Sequence, residues 1–259
     1  MSLSAPLGRR SPRAFAIVPA AGLSRRMGQA KLLMPWGQAT VIECVLARWC
    51  ASQVERIVVV ARRGDEPLHD RIRQAQRRSS ALASPPPPFD PRSAPDPRSV
   101  PDPRSAPEPP SAPDPTPRIE LVLPASDPPD MKDSVRVALS HLREVAQAQS
   151  DDVWLMAPAD MPDLSSRVVD RLIEATRRFP GEILVPRAGG RRGHPVLFPF
   201  AFAPHVDGLG PSEGLNRLLE RLPVRELEWP VEAADEAVPG DLDTPADYAR
   251  AVESGRSRC

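Results

Sequence analysis

Apolar residues in this 259-residue chain gather into short runs separated by amphipathic stretches. Residues 14–18 (A-F-A-I-V) and 56–61 (R-I-V-V-V-A) are near-continuous apolar segments, the pattern of strands buried on both faces. Between them, residues 40–52 place Val41, Val45, Leu46 and Trp49 at helical spacing. The alternation continues with a helix over 68–78, a strand over 119–123, a helix over 131–146 and a strand over 152–157. A helix over 165–179, capped by Ser165, and a strand over 182–186 follow. Beyond Gly193 the pattern is less regular: a strand over 195–198, a helix over 213–222, a strand over 224–229 and a closing helix over 245–252. Such alternation predicts an α/β fold: one Rossmann-like domain with a mainly parallel central sheet and helices on both faces. Right-handed crossovers place the loops after the strands on one edge of the sheet, where ligands bind. Residues 20–31 and 159–163 are expected to meet there.

Proline interrupts this order. Of 35 prolines, 15 fall between Pro85 and Pro117, a segment that contains a hexapeptide repeat from Ser93 to Thr116 (S-A-P-D-P-R, S-V-P-D-P-R, S-A-P-E-P-P, S-A-P-D-P-T). A segment short of backbone donors and of apolar mass cannot build a core, so residues 79–117 read as a disordered, polyproline-like insert. Loop-closure entropy tolerates such an insertion cheaply. The expected organisation is a disordered extension over 1–13, a domain over 14–253 interrupted by the insert, and a tail over 254–259.

The 34 basic residues balance the 34 acidic ones, which removes the basic bias that non-specific nucleic-acid binding requires. No apolar run approaches the roughly 20 residues of a membrane span, so no membrane partner is expected. Arg9-Arg10 precedes an apolar stretch too short and too proline-broken for an export signal. Cys44, Cys50 and Cys259 lack metal-ligand spacing, and their odd number suits a reducing compartment. The expected location is cytoplasmic.

The first strand runs into Ala20, Ala21, Gly22, Leu23 and Ser24, followed by Arg25, Arg26, Gly28 and Lys31. Small residues at a strand end let backbone N–H groups approach a polyphosphate, and three cations within seven residues add charge to hold it. This is neither a P-loop, since Leu32 follows Lys31, nor a dinucleotide fingerprint, since Gly22 and Gly28 stand six apart. After the fourth strand, Asp160 in A-P-A-D-M-P offers a carboxylate at the same sheet edge, where a hard cation such as Mg²⁺ takes oxygen ligands. Asp241 and Asp243 in G-D-L-D-T-P are further carboxylates, both able to share one face of an extended segment. Thr244-Pro245 reads as a helix start. No Ser–His–Asp arrangement assembles, so a covalent nucleophile has no support.

Residues 20–31 resemble the A-A-G-x-S-x-R-M-G-x-x-K signature of the Rossmann-like nucleotidyltransferases, and within them the molybdenum cofactor cytidylyltransferases. Leu32-Leu33-Met34-Pro35-Trp36 resembles theirs too, and Ala20-Ala21-Gly22 stands where the guanylyltransferase branch has A-G-G. Three further elements follow in the family's order. They are Ser134-Val135 near the base and ribose, Asp160-Met161-Pro162 at the metal, and Gly193-His194-Pro195 lining the acceptor pocket. The D-L-D-T-P run completes the set. Asp130 departs from the family's glycine.

The resemblance implies a Mg²⁺-dependent enzyme joining CMP from CTP to a molybdopterin-type cofactor, with release of pyrophosphate and a molybdoenzyme as eventual recipient. It implies nucleotide contacts from Ala20, Ala21, Gly22, Leu23, Ser24, Arg25, Lys31 and Ser134. Arg25, Lys31 and Asp160 take the catalytic roles, and Asp160 with Asp241 or Asp243 the metal. GTP or another phosphorylated acceptor, or a non-catalytic carrier of the cofactor, are the alternatives.

Overall fold

The computed structural model describes residues 12–23, 27–28, 30–82, 117–230, 242 and 244–253. Its centre is an eight-stranded sheet. The long strands are β1 (Ala14–Pro19), β4 (Arg56–Val60), β5 (Arg118–Val122), β6 (Val153–Met156), β7 (Ile183–Ala188), β9 (Val196–Pro199) and β10 (Val224–Glu228). They run in the spatial order β10-β7-β9-β6-β1-β4-β5, and β8 (Arg191–Arg192) pairs with β7. A two-stranded hairpin, β2 (Pro35–Trp36) with β3 (Ala39–Thr40), stands apart. Strand β1 is parallel to both neighbours, Phe15 facing Arg56 on one side and Trp154 on the other. Strand β9 is the exception, antiparallel to both β6 and β7.

Seven α-helices are seen among the described residues: α1 (Val41–Cys50), α2 (Glu66–Leu82), α3 (Met131–Glu144), α4 (Ser166–Ala175), α5 (Ala203–Asp207), α6 (Asn216–Arg221) and α7 (Pro245–Glu253). The two-residue strand period sorts β1 between two cores. Ala16 and Val18 pack on one face with α1, α2 and α4; Phe15 and Ile17 pack on the other with α3, α5 and α6. Burial on both faces is the reason β1 and β4 read as unbroken apolar runs. Trp154 and Phe198 stack across β6 and β9 with centroids 4.1 Å apart, a pairing that adds about 1 kcal/mol beyond area burial.

Local signals account for the helix ends. Thr40 and Glu43 form a reciprocal capping box on α1. Asp130 caps α3 by accepting from the Asp133 N–H at 3.0 Å. Thr244 and Asp247 cap each other at the start of α7.

Several boundaries differ from the sequence reading. Arg13 is pinned rather than loose: its guanidinium donates to the Ala146 and Gln147 carbonyls and to Asp152, whose side chain is fully buried. Helix α2 runs to Leu82, into the segment assigned to the insert, and Pro117 is buried with its carbonyl accepting from the Ser79 hydroxyl at 3.0 Å. The helix expected over 165–179 stops at Ala175, where the Thr176 hydroxyl bonds back to the Ile173 carbonyl at 2.6 Å. Residues 1–11, 83–116 and 254–259 lie outside the described residues. No helix among those described is long and apolar enough to cross a membrane.

Candidate active site

The chain leaves β1 toward β4 and β5 on one side, then returns to β6 on the other. The carboxyl ends of β1 and β6 therefore flank the point where strand order reverses, the place where open α/β sheets bind ligands. A cleft of about 820 Å³ opens there, within the range of small-molecule sites. One wall is Pro19 to Leu23, another Pro158 to Asp160, and a third the start of α3 with Asp130, Met131 and Ser134.

Each wall follows from local sequence. The Ala20 N–H still bonds to the Val60 carbonyl at 2.8 Å; beyond it the ladder to β4 ends and Ala21, Gly22 and Leu23 turn along the cleft. Gly28 takes φ +66°, a conformation that side-chain-bearing residues rarely adopt, and so permits the turn toward Lys31. Lys31 opens a short 3₁₀ turn, Lys31–Leu33, whose Leu32 is buried.

Lys31 and Asp160, 129 residues apart, form an ion pair across the cleft. Asp160 is only 6% exposed. A carboxylate that deep needs a cation, and among the described residues the ammonium of Lys31 answers it. The two loops expected to meet do so through these side chains.

His194 is within reach of the charge of Asp160. Burial pushes its imidazole below the usual histidine range, and a hydrogen bond to the Met156 backbone and the charge of Asp160 only partly oppose that. The ring is therefore neutral near pH 7, with a buried Nδ1 that has no hydrogen-bond partner among the described residues. Gly193 and Pro195 beside it are buried, and the Gly193 N–H bonds to the Pro186 carbonyl at 2.8 Å. None of residues 191–195 lines the cleft, and Arg192 is paired with Glu226 of β10 at 2.6 Å.

Ser134 lines the cleft and is buried, its hydroxyl donating to the Asp130 carbonyl at 3.3 Å. Sequence reasoning missed Arg62 and Asp127, paired at 2.8 Å on the cleft wall. Arg62's place just past the end of β4 was the available signal. Ser24, Arg25, Asp241 and Asp243 lie outside the described residues, although Leu242, between the two aspartates, is buried in the core that holds Ala20 and Ala159. Among the described residues no three of His, Cys, Asp and Glu converge as a ready-made metal site.

Known proteins bear on this geometry. The Escherichia coli molybdenum cofactor cytidylyltransferase is 42% identical over 55 residues, 21% of this chain and 28% of that protein. The Bacillus subtilis purine catabolism protein PucB is 25% identical over 241 residues, 92% of this chain and 96% of that protein. Among solved structures, Rv0371c of Mycobacterium tuberculosis in complex with manganese superposes with a TM-score of 0.59 at 22% identity, covering 93% of this chain and 99% of its own. The model of the MobA-like NTP transferase domain matches residues 16–91 and 105–227, spanning β1, the loop carrying Lys31, α3, Asp160 and β10. The chain belongs to the MobA-like NTP transferase family.

Proposed function

We propose that this nucleotidyltransferase moves CMP from CTP to the terminal phosphate of a molybdopterin-type cofactor. An acceptor phosphate oxygen bonds to the α-phosphorus, the bond from that phosphorus to the β-bridging oxygen breaks, and pyrophosphate leaves with the electron pair. The supporting observation is the Lys31–Asp160 pair at the carboxyl ends of β1 and β6, on the walls of a nucleotide-sized cleft.

The loop from Ala20 to Ser24 receives the triphosphate through its backbone, with Arg25 and Lys31 as countercharges. Lys31 neutralises charge that grows on the leaving pyrophosphate, so its interaction is strongest in the transition state. Ser134 and the start of α3 border the nucleoside. Gly193, His194 and Pro195 are assigned to the acceptor side from outside the cleft lining, where a neutral His194, bonded to the Met156 backbone, is a hydrogen-bonding group rather than a countercharge. No general base is needed, because the attacking phosphate is already an oxyanion near neutral pH.

The residues fit a divalent cation. Asp160 is a buried carboxylate at the cleft edge, and Mg²⁺ is held by one or two carboxylates with the remaining positions left to phosphate and water. Asp241 or Asp243 is the second candidate. When bound, Mg²⁺ supplies Lewis-acid polarisation of the phosphates. With nucleotide and acceptor both soluble, this reading places the protein in the cytoplasm.

Metal binding tests the assignment directly. Electron paramagnetic resonance of Mn²⁺ with CTP should show a protein-bound signal for the native chain and a loss of at least about tenfold in affinity for Asp160→Asn, the order expected when a ligand is removed. Unchanged Mn²⁺ affinity in that variant would remove Asp160 from the metal site.

A further inference from the structure

Helix α3 carries two cations one turn apart, Lys132 paired with Asp130 at 3.5 Å and Arg136 with Asp133 at 2.6 Å, and both also reach across to backbone. Lys132 is 3% exposed, and its ammonium donates to the carbonyls of Gly210, Pro211 and Glu213 at 2.8, 3.1 and 3.0 Å. Arg136 donates to the carbonyls of Val206, Asp207 and Leu209. Together they grip one continuous stretch, residues 206–213, and all three Lys132 donors are used. The stretch is also closed on itself. The Glu213 N–H bonds to the Gly210 carbonyl at 3.1 Å, and the Gly210 N–H to the Glu213 carboxylate at 2.8 Å.

Burying an ammonium costs several kcal/mol before its partners repay it, and an apolar side chain of the same length would fill this position more cheaply. What the lysine adds is a fixed shape for the loop. That loop walls a second cavity of about 440 Å³, and the cavity shares Asp130 and Met131 with the nucleotide cleft. Met131 and Met156 both line it, and thioethers make favourable contacts with flat aromatic rings. The polar edge comes from the loop and Asn216. Gly214 leaves that carboxamide its place, since a Cβ there would sit 2.9 Å from Asn216 Oδ1.

We propose that this second cavity takes the planar heterocyclic body of the acceptor, and that Lys132 is a positioning residue that holds its loop wall in place. The proposal rests on the transferase reading above, because α3 would then join the nucleotide on one side to the acceptor on the other.

The test is hydrogen exchange of the full chain under anaerobic conditions with metal-free molybdopterin, alongside pyrophosphate release from CTP. In the native protein molybdopterin should slow exchange over residues 206–216 by about tenfold or more. Ser212→Trp, at an exposed cavity-lining position not used by the clasp, should abolish that protection while leaving CTP affinity within about twofold. Lys132→Met should raise the acceptor KM about tenfold with little change in the CTP KM, a split that a loss of stability alone does not produce. Protection elsewhere, or none, overturns the inference, as does a Lys132→Met variant that loses thermal stability with both KM values unchanged. Protection at 206–216 without pyrophosphate release from the native protein would instead sink the transferase reading and leave the cavity assigned.

Discussion

Replacing Lys31 with alanine separates the stabilising and chemical roles of one ion pair. The side chains of Lys31 and Asp160 are 17% and 9% exposed, so removing the ammonium strands a largely buried carboxylate. Breaking a buried pair costs about 3–5 kcal/mol, and the residual exposure of this one puts the loss near the lower figure. At roughly 2–4 °C per kcal/mol for a domain of this size, Lys31→Ala should melt about 6–12 °C below the native protein. Adding Asp160→Asn removes the stranded charge, so the double variant should regain most of that loss while remaining inactive. Turnover carries the second signature. A positioned donor facing transition-state charge is worth about 10²–10³ in kcat, and pyrophosphate release at saturating CTP should fall by that order. A Lys31→Ala variant with a raised nucleotide KM but intact kcat would refute the transition-state role of Lys31, and a double variant melting no higher than the single one would refute the stranded-charge cost.

Three further outcomes follow from the structure. Arg13→Ala should cost about 3–5 kcal/mol in urea unfolding without changing KM, since it leaves the fully buried Asp152 side chain without its guanidinium. Burial alone would raise Asp152, but hydrogen bonds from Arg13 and the Gln149 N–H hold it below its usual range. Its stabilisation is therefore present above the unfolded carboxylate pKa and is lost as pH falls through the folded one, so Arg13→Ala should also shift the acid-unfolding midpoint upward. Replacing residues 84–115 with about six Gly/Ser residues should leave activity unchanged and raise stability by about 1–2 kcal/mol through loop-closure entropy. A deletion that also removes buried Pro117 should not be neutral. His194→Gln should flatten the pH dependence of Tm just below pH 6.5: folded His194 resists the protonation that the unfolded chain accepts, so the native protein loses stability as pH falls through the unfolded histidine pKa. An unchanged slope in that variant would mean that the ring is not held neutral.

The sequence disclosed those parts of the fold that are locally determined. Apolar runs marked β1 and β4, helical spacing marked α1 and α3, and the meeting of loops 20–31 and 159–163 followed from a parallel sheet with right-handed crossovers, whereas the Lys31–Asp160 ion pair itself did not. Strand β9 was legible as a strand but not as an antiparallel member between β6 and β7, because its partners are set by long-range packing such as Trp154 on Phe198. Helix α5 is short and opens with Pro at its first turn, so it carries too few periodic positions to register. Lys132 and Arg136 look in sequence like the solvated face of a helix; only the tertiary placement of residues 206–213 reveals what they hold. Arg62 was hidden for a related reason, since its partner Asp127 lies 65 residues away.

Pyrophosphate release is the most direct test of the central claim. The full chain should be incubated anaerobically with Mg²⁺ and molybdopterin-type cofactor, with CTP, GTP and ATP compared in parallel. The native chain should release pyrophosphate with CTP, dependent on both metal and cofactor, and Asp160→Asn should not. Release with GTP in place of CTP would contradict the base assignment, and no release with any nucleotide from folded protein would contradict the assigned transfer itself.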